Sequence, residues 1–205
     1  MLDRASSVLG LSGLPSVAGQ VVVVSGAGTL GLVATAMATD SGARVVVVDP
    51  QEARRERSRA FGAVAVVDPA ATVGPHALSR VLAAVDRSGR HRTVGLAVDG
   101  AGASTLVEQV AVGGVVVLAR GTVRGDDVVV AGARLVEGLV TVTGAGGTGP
   151  ERLASAVAWA SEAWRRWPLG SLVGETVHLT DVGAALTAAG PGDGLIGVEP
   201  APAVR

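Results

Sequence analysis

The chain of 205 residues contains no cysteine. Disulfides, thiolate zinc sites and cysteine nucleophiles are thereby excluded together. Aromatic residues are scarce: there is no tyrosine, one phenylalanine and three tryptophans. Lysine is absent as well, so all 17 basic residues are arginine. With the abundance of valine and alanine, this is the usage of a GC-rich bacterial coding sequence and says nothing of mechanism. An excess of one charge is also lacking. The formal net charge is −1, with no basic or acidic run, which argues against nucleic acid as a partner. No apolar run reaches the roughly 18 residues of a membrane span, and the first residues lack the charged-then-apolar pattern of a secretion signal. The expectation is a soluble, cytoplasmic protein with no membrane partner.

What is present is a globular composition, 48% apolar and 17% charged. Val21 to Val24 and Arg44 to Val48 are continuous β-branched runs of the kind found in parallel strands covered on both faces. Shorter strand candidates are 65–67, 94–98, 115–119 and 139–143. Helices are expected between them, over 32–41, 51–60, 76–85 and 104–112. A longer helix over 151–167 has Pro150 at its start and Pro168 as its stop. Alternating strands and helices predict an α/β fold with a doubly wound, six-stranded parallel sheet. A small strand–helix–strand segment follows, with strands at 172–179 and 195–198. The division expected is an N-terminal helix and linker over 1–15, a dinucleotide-binding domain over 16–170, and an extension over 171–205 packed on it.

Gly26-Ala27-Gly28-Thr29-Leu30-Gly31 lies between the first strand and the first helix, the context a dinucleotide turn requires. Gly26 permits the tight turn, Gly28 lets a pyrophosphate approach the backbone, and Gly31 allows the helix to pack closely on the strand. The helix N-terminus offers N–H groups and a partial positive charge to phosphates. Asp49 ends the second strand and can accept hydrogen bonds from both hydroxyls of the adenosine ribose. Its charge would repel a 2′-phosphate, so NAD is expected rather than NADP. Arg54 and Arg55, a turn further on, weaken that preference, and Arg54 is counted with the cofactor-binding residues.

The segments VVVVSGAGTLGLVATAMATDSGARVVVVDPQEARRERSRAFGAVAVVDP, LAVDGAGAS and VGGVVVLARGTV resemble the second half of the medium-chain dehydrogenase/reductases, the zinc alcohol dehydrogenase superfamily. The segment LVGETVHLTDVGAALTAAGPGDGLIGVEP is similar to that family's C-terminal return. The nearest subgroup is the alcohol dehydrogenase-like group associated with phosphonate metabolism. The resemblance implies that Gly26, Gly28, Thr29, Leu30 and Gly31 hold the pyrophosphate and Asp49 the ribose. It implies that Asp99, Ala101 and Gly102 lie on a loop near the adenosine, and that Arg120, Gly121 and Thr122 lie near the nicotinamide. The family's N-terminal catalytic domain, which supplies zinc ligands and proton relay, has no counterpart in this sequence. A truncated, zinc-independent protein is therefore expected. The Tyr-x-x-x-Lys pair of short-chain dehydrogenases is excluded by composition.

Other candidate chemistry rests on single residues. Arg120, at a strand end, could hold an anionic substrate bidentately. Asp99 and His178 are candidate bases. His76 and His91 complete the histidines, but their contexts put the three on different edges, and no metal is expected. Trp159, Trp164 and Trp167 read as core, with a protein interface as the alternative. The sixth strand is expected at a sheet edge, and there the resemblance implies a homodimer. Three functions stay open. The first is an NAD-binding oxidoreductase acting on a small metabolite, completed by its substrate or by a separate catalytic subunit. The second is a non-redox lyase, isomerase or cyclase on the same scaffold. The third is a dinucleotide-binding module without chemistry.

Overall fold

The computed structural model describes residues 17–70, 77–86, 93–97, 100–119, 128–145, 149–188 and 195–200. Six strands form one sheet: β1 (Val21–Ser25), β2 (Arg44–Val48), β3 (Ala63–Val67), β4 (Thr93–Ala97), β5 (Val115–Leu118) and β6 (Thr141–Gly144). They pair in the order β3-β2-β1-β4-β5-β6, and every pair is parallel. The intervening helices are α1 (Thr29–Asp40), α2 (Glu52–Arg59), α3 (Ala77–Val85), α4 (Gly100–Gln109), α5 (Gly132–Val136) and α6 (Pro150–Ala163). The α/β expectation is met.

The period of two along each strand explains why the valine runs have no polar face. Val22, Val24, Val45, Val47, Val115 and Val117 enter one core layer, which α1 covers with Leu32, Ala34, Ala36 and Ala38. Val21, Val23, Val46, Val48 and Val116 enter the opposite layer, covered by Leu78 of α3 and by Ala103, Leu106 and Val107 of α4. Small alanines on α1 bring its axis close to the sheet. α1 closes on a left-handed glycine: Gly42 has φ +81°, Gly42 N–H donates to Thr39 O and Ala43 N–H to Ala38 O.

Several boundaries move. α1 begins at Thr29 instead of at residue 32, inside the glycine motif. α4 begins at Gly100, so Ala101 and Gly102 stand in a helical first turn and not on a loop. β3 extends back to Ala63, with a register shift against β2. The regular part of α6 ends at Ala163, and a further turn carries Trp167 N–H to Ala163 O. α5 was not expected: it has five residues, too few for a periodic signal. Its Arg134 donates to Val107 O and Val110 O at the end of α4.

Beyond α6, a 3-10 turn (Leu169–Leu172) puts Leu172 into the core. β7 (Val173–His178) and β8 (Leu195–Glu199) then form a separate two-stranded parallel sheet with α7 (Val182–Ala188) between them in sequence. Nearly all of its residues are exposed or half-buried.

Candidate functional site

The carboxyl ends of the strands converge on a cleft of about 370 Å³. It opens beside the place where the connections leave β1 and β4 in opposite directions, the crevice that open parallel sheets offer to ligands. Ser25, Gly26 and Gly28 line it at the end of β1, and Val48, Asp49, Pro50 and Arg54 at the end of β2 and in α2. Pro69 after β3, Leu78 of α3 and Gly102, Thr105 and Leu106 of α4 complete the lining. The lining combines apolar side chains with the polar Ser25, Asp49, Arg54 and Thr105.

Each glycine of the turn has its own reason. Gly26 has φ +95°, a conformation that side chains disfavour, and its N–H donates to Val48 O at 2.8 Å. A Cβ on Gly31 would lie 1.8 Å from the carbonyl oxygen of Gly26, so only glycine lets α1 start this close to β1. Gly28 has ordinary extended angles, and a Cβ there would meet no protein atom within 4 Å. It borders open space at the cleft, which a side chain would fill. Behind it, α1 has no side-chain cap, and its first N–H groups have no partner within the helix. Thr29 is half-buried and Leu30 is 49% exposed at this helix end.

Asp49 lines the cleft yet is only 3% exposed. Ala27 N–H donates to its Oδ2 and Gln51 N–H to its Oδ1, each at 2.8 Å. The neighbouring arginines, alike in sequence, separate in space. Arg54 lines the cleft. Arg55 turns away, donating from Nη1 to the carbonyls of Asp49 and Pro50 at 2.8 Å and pairing with Asp68 at 3.3 Å. It ties the ends of β2 and β3 together.

Of the other expected site residues, Gly102 lines the cleft and Ala101 precedes it in α4. His178 does not line the cleft; it ends β7, exposed, in register with Glu199 of β8. Asp99, Arg120, Gly121 and Thr122, with His76 and His91, lie outside the described residues. Among the described residues no three His, Asp or Glu side chains stand where they could hold a metal ion. Leu78, Thr105 and Leu106 were missed as cleft residues. Their helices carry only core periodicity in the sequence, and Leu78 and Leu106 are themselves buried in the core layer that borders the cleft.

The tryptophans divide. Trp159 and Trp167 pack on the core, and their Nε1 groups donate to Oδ2 and Oδ1 of Asp40 at 3.0 and 3.1 Å. Arg166 joins them on Oδ2 at 2.9 Å. The last residue of α1 is thus held by α6 and the turn after it. Trp164 is exposed, with the Arg165 guanidinium 5.9 Å from its ring centre.

A parallel sheet of this order, with a glycine turn beneath its central cleft, is an α/β domain of the kind dehydrogenases use for dinucleotides. Residues 29–162, more than half of the chain, match the family described as zinc-binding dehydrogenase. The chain belongs to the zinc-binding dehydrogenase family. No curated protein matches the sequence. Among solved structures, an alcohol dehydrogenase from Thermotoga maritima aligns with a TM-score of 0.82 at 20% identity, over 97% of this chain and 55% of that one. Galactitol-1-phosphate dehydrogenase from Escherichia coli aligns at 0.73 and 20% identity, over 93% and 56%. A short chain alcohol dehydrogenase from E. coli CFT073, solved with its cofactor NADH, aligns at 0.71 and 17% identity, over 96% and 56%. At these identities the likeness is one of fold, and the chain spans about half the length of each.

Proposed function

We propose that the cleft binds NAD and that the chain is the nucleotide-binding part of an oxidoreductase acting on a small metabolite. The observation that carries this reading is the glycine turn. Gly31 is glycine because a Cβ would strike the Gly26 carbonyl, and the helix end so placed faces open space at Gly28. The pyrophosphate would lie over Gly28 and the first N–H groups of α1, with Thr29 and Leu30 beside it. The adenosine would occupy the wall of Pro69, Leu78, Thr105 and Leu106, and its ribose would meet the remaining lone pairs of Asp49. Two carboxylate oxygens at that position favour NAD over NADP, and Arg54 reduces the margin. Bound NAD supplies hydride transfer; the residues described here bind and orient it.

The resemblance to the phosphonate-associated subgroup implies a small anionic substrate, which Arg120 would hold. Substrate and proton relay call for groups beyond the cleft, from a further segment or a separate catalytic subunit. A homodimer through β6 is supported by its position at the end of the sheet and by the exposed Val136 and Leu139 beside it.

Isothermal titration with NAD and NADP, with native mass spectrometry of the same sample, tests the cofactor. One NAD per chain, bound about tenfold or more tighter than NADP, is expected, a difference of roughly 1.4 kcal/mol. No NAD binding at millimolar concentration refutes it. A rise in reduced-nicotinamide absorbance with candidate alcohols or phosphonates then tests the redox chemistry.

A further inference from the structure

Asp49 does more than face a ribose. Its Oδ2 accepts the N–H of Ala27, the middle residue of the glycine turn, and Ala27 is itself buried at 2% exposure. Its Oδ1 accepts the N–H of Gln51, the residue that opens α2. The carboxylate is braced from behind: Asp49 N–H donates to Val67 O at 3.2 Å, and Arg55 holds the Asp49 and Pro50 carbonyls while pairing with Asp68. The ends of β1, β2 and β3 are thus joined through this one side chain and the arginine beneath it. A buried backbone N–H that loses its acceptor is costly, so the turn would not keep its path without Oδ2.

We infer that Asp49 is a positioning residue for the phosphate-binding turn, acting through Ala27, in addition to any contact it makes with ribose. The inference rests on the nucleotide reading above and deepens it. It carries a prediction opposite in sign to simple electrostatics. A negative charge beside a phosphate site opposes phosphate binding, so on charge alone its removal strengthens every phosphorylated ligand. If Oδ2 sets the turn, its removal weakens even a ligand that has no ribose hydroxyls.

The experiment uses the full chain and two probes, ADP and 2′,3′-dideoxy-ADP, titrated into the parent, Asp49→Ala and Asp49→Asn proteins. The expected result is that Asp49→Ala weakens dideoxy-ADP about tenfold or more, the loss of one hydrogen bond to a charged acceptor. Asp49→Asn, which keeps one acceptor oxygen, weakens it less. Amide exchange at Ala27 in the ligand-free protein is slow in the parent and faster in Asp49→Ala. Circular dichroism identifies folded variants, and if Asp49→Ala does not fold, Asp49→Asn is judged by the same criterion. Dideoxy-ADP bound by the folded variant as well as by the parent, or better, overturns the inference, as does unchanged exchange at Ala27. A parent that binds neither probe nor NAD overturns the nucleotide reading and the phosphate consequence with it. That failure is recognised because the unsubstituted protein shows it, and exchange at Ala27 still judges the hydrogen bond.

Discussion

The two sheets of this chain are built on opposite terms. In the large sheet, Val21, Val24, Val45 and Val47 are fully buried, and the turn at its carboxyl end is laced by Asp49 and Arg55. In the small sheet, Val173, Leu195 and Val198 are all exposed, although both sheets are parallel and both use β-branched residues. The difference lies in what covers them. Helices α1, α3 and α4 close both faces of the large sheet, while β7 and β8 show no comparable cover among the described residues. The lesson is that the nucleotide end is self-contained in its packing. The small sheet offers an apolar surface that the described residues do not bury.

The largest effect should follow from breaking the large sheet's turn. Gly31→Val places side-chain carbon where the Gly26 carbonyl lies, and neither backbone can yield cheaply. A loss of ~3 kcal/mol or more is expected in urea unfolding, with NAD binding abolished. A Gly31→Val protein that binds NAD like its parent would show that the turn is not what the geometry says.

Next comes the far end of the same helix. Asp40→Ala leaves two indole N–H groups and Arg166 without their shared acceptor. The site is partly solvated, so a cost of about 1–2 kcal/mol is expected, together with a shift in tryptophan fluorescence. Trp164→Phe, at the exposed indole, should leave stability within ~0.5 kcal/mol and so separate the two kinds of tryptophan.

At the β6 end, Leu139→Asp tests the proposed dimer. Leu139 is exposed and has φ +49°, which aspartate tolerates better than leucine, so the monomer fold should be unharmed. Sedimentation should show the parent as a dimer and the variant shifted towards monomer. Equal behaviour of the two would remove β6 as the contact.

The smallest effect belongs to the small sheet. Val198→Thr, half-exposed on β8, should change the unfolding free energy by less than ~0.5 kcal/mol. A larger loss would mean that this surface is covered in solution, and the contrast between the sheets would then narrow.

Much of this was legible in the sequence because it is local. Continuous valine runs announce strands buried on two faces, and a glycine motif between strand and helix announces the turn. Asp49 at a strand end could be picked out for the same reason. Its hold on Ala27 could not, since it spans 22 residues and depends on how two strand ends meet. Asp40 with Trp159 and Trp167 spans 119 and 127 residues, beyond any periodic pattern. Arg54 and Arg55 are neighbours in sequence, and only their angle around α2 sends one to the cleft and the other to the carbonyls below. Ala101 and Gly102 were expected on a loop because the family resemblance put them just after the fourth strand. A helix that starts at Gly100, after the central strand β4, absorbs them, and Gly102 lines the cleft from there.

The central claim is that the glycine-turn cleft is a site for NAD. Calorimetric titration of the unsubstituted chain with NAD, repeated on Gly31→Val, tests it most directly. The account predicts one NAD per parent chain and none on the variant. A parent chain that takes up no NAD at millimolar concentration, or a folded variant that takes it up equally, would contradict it.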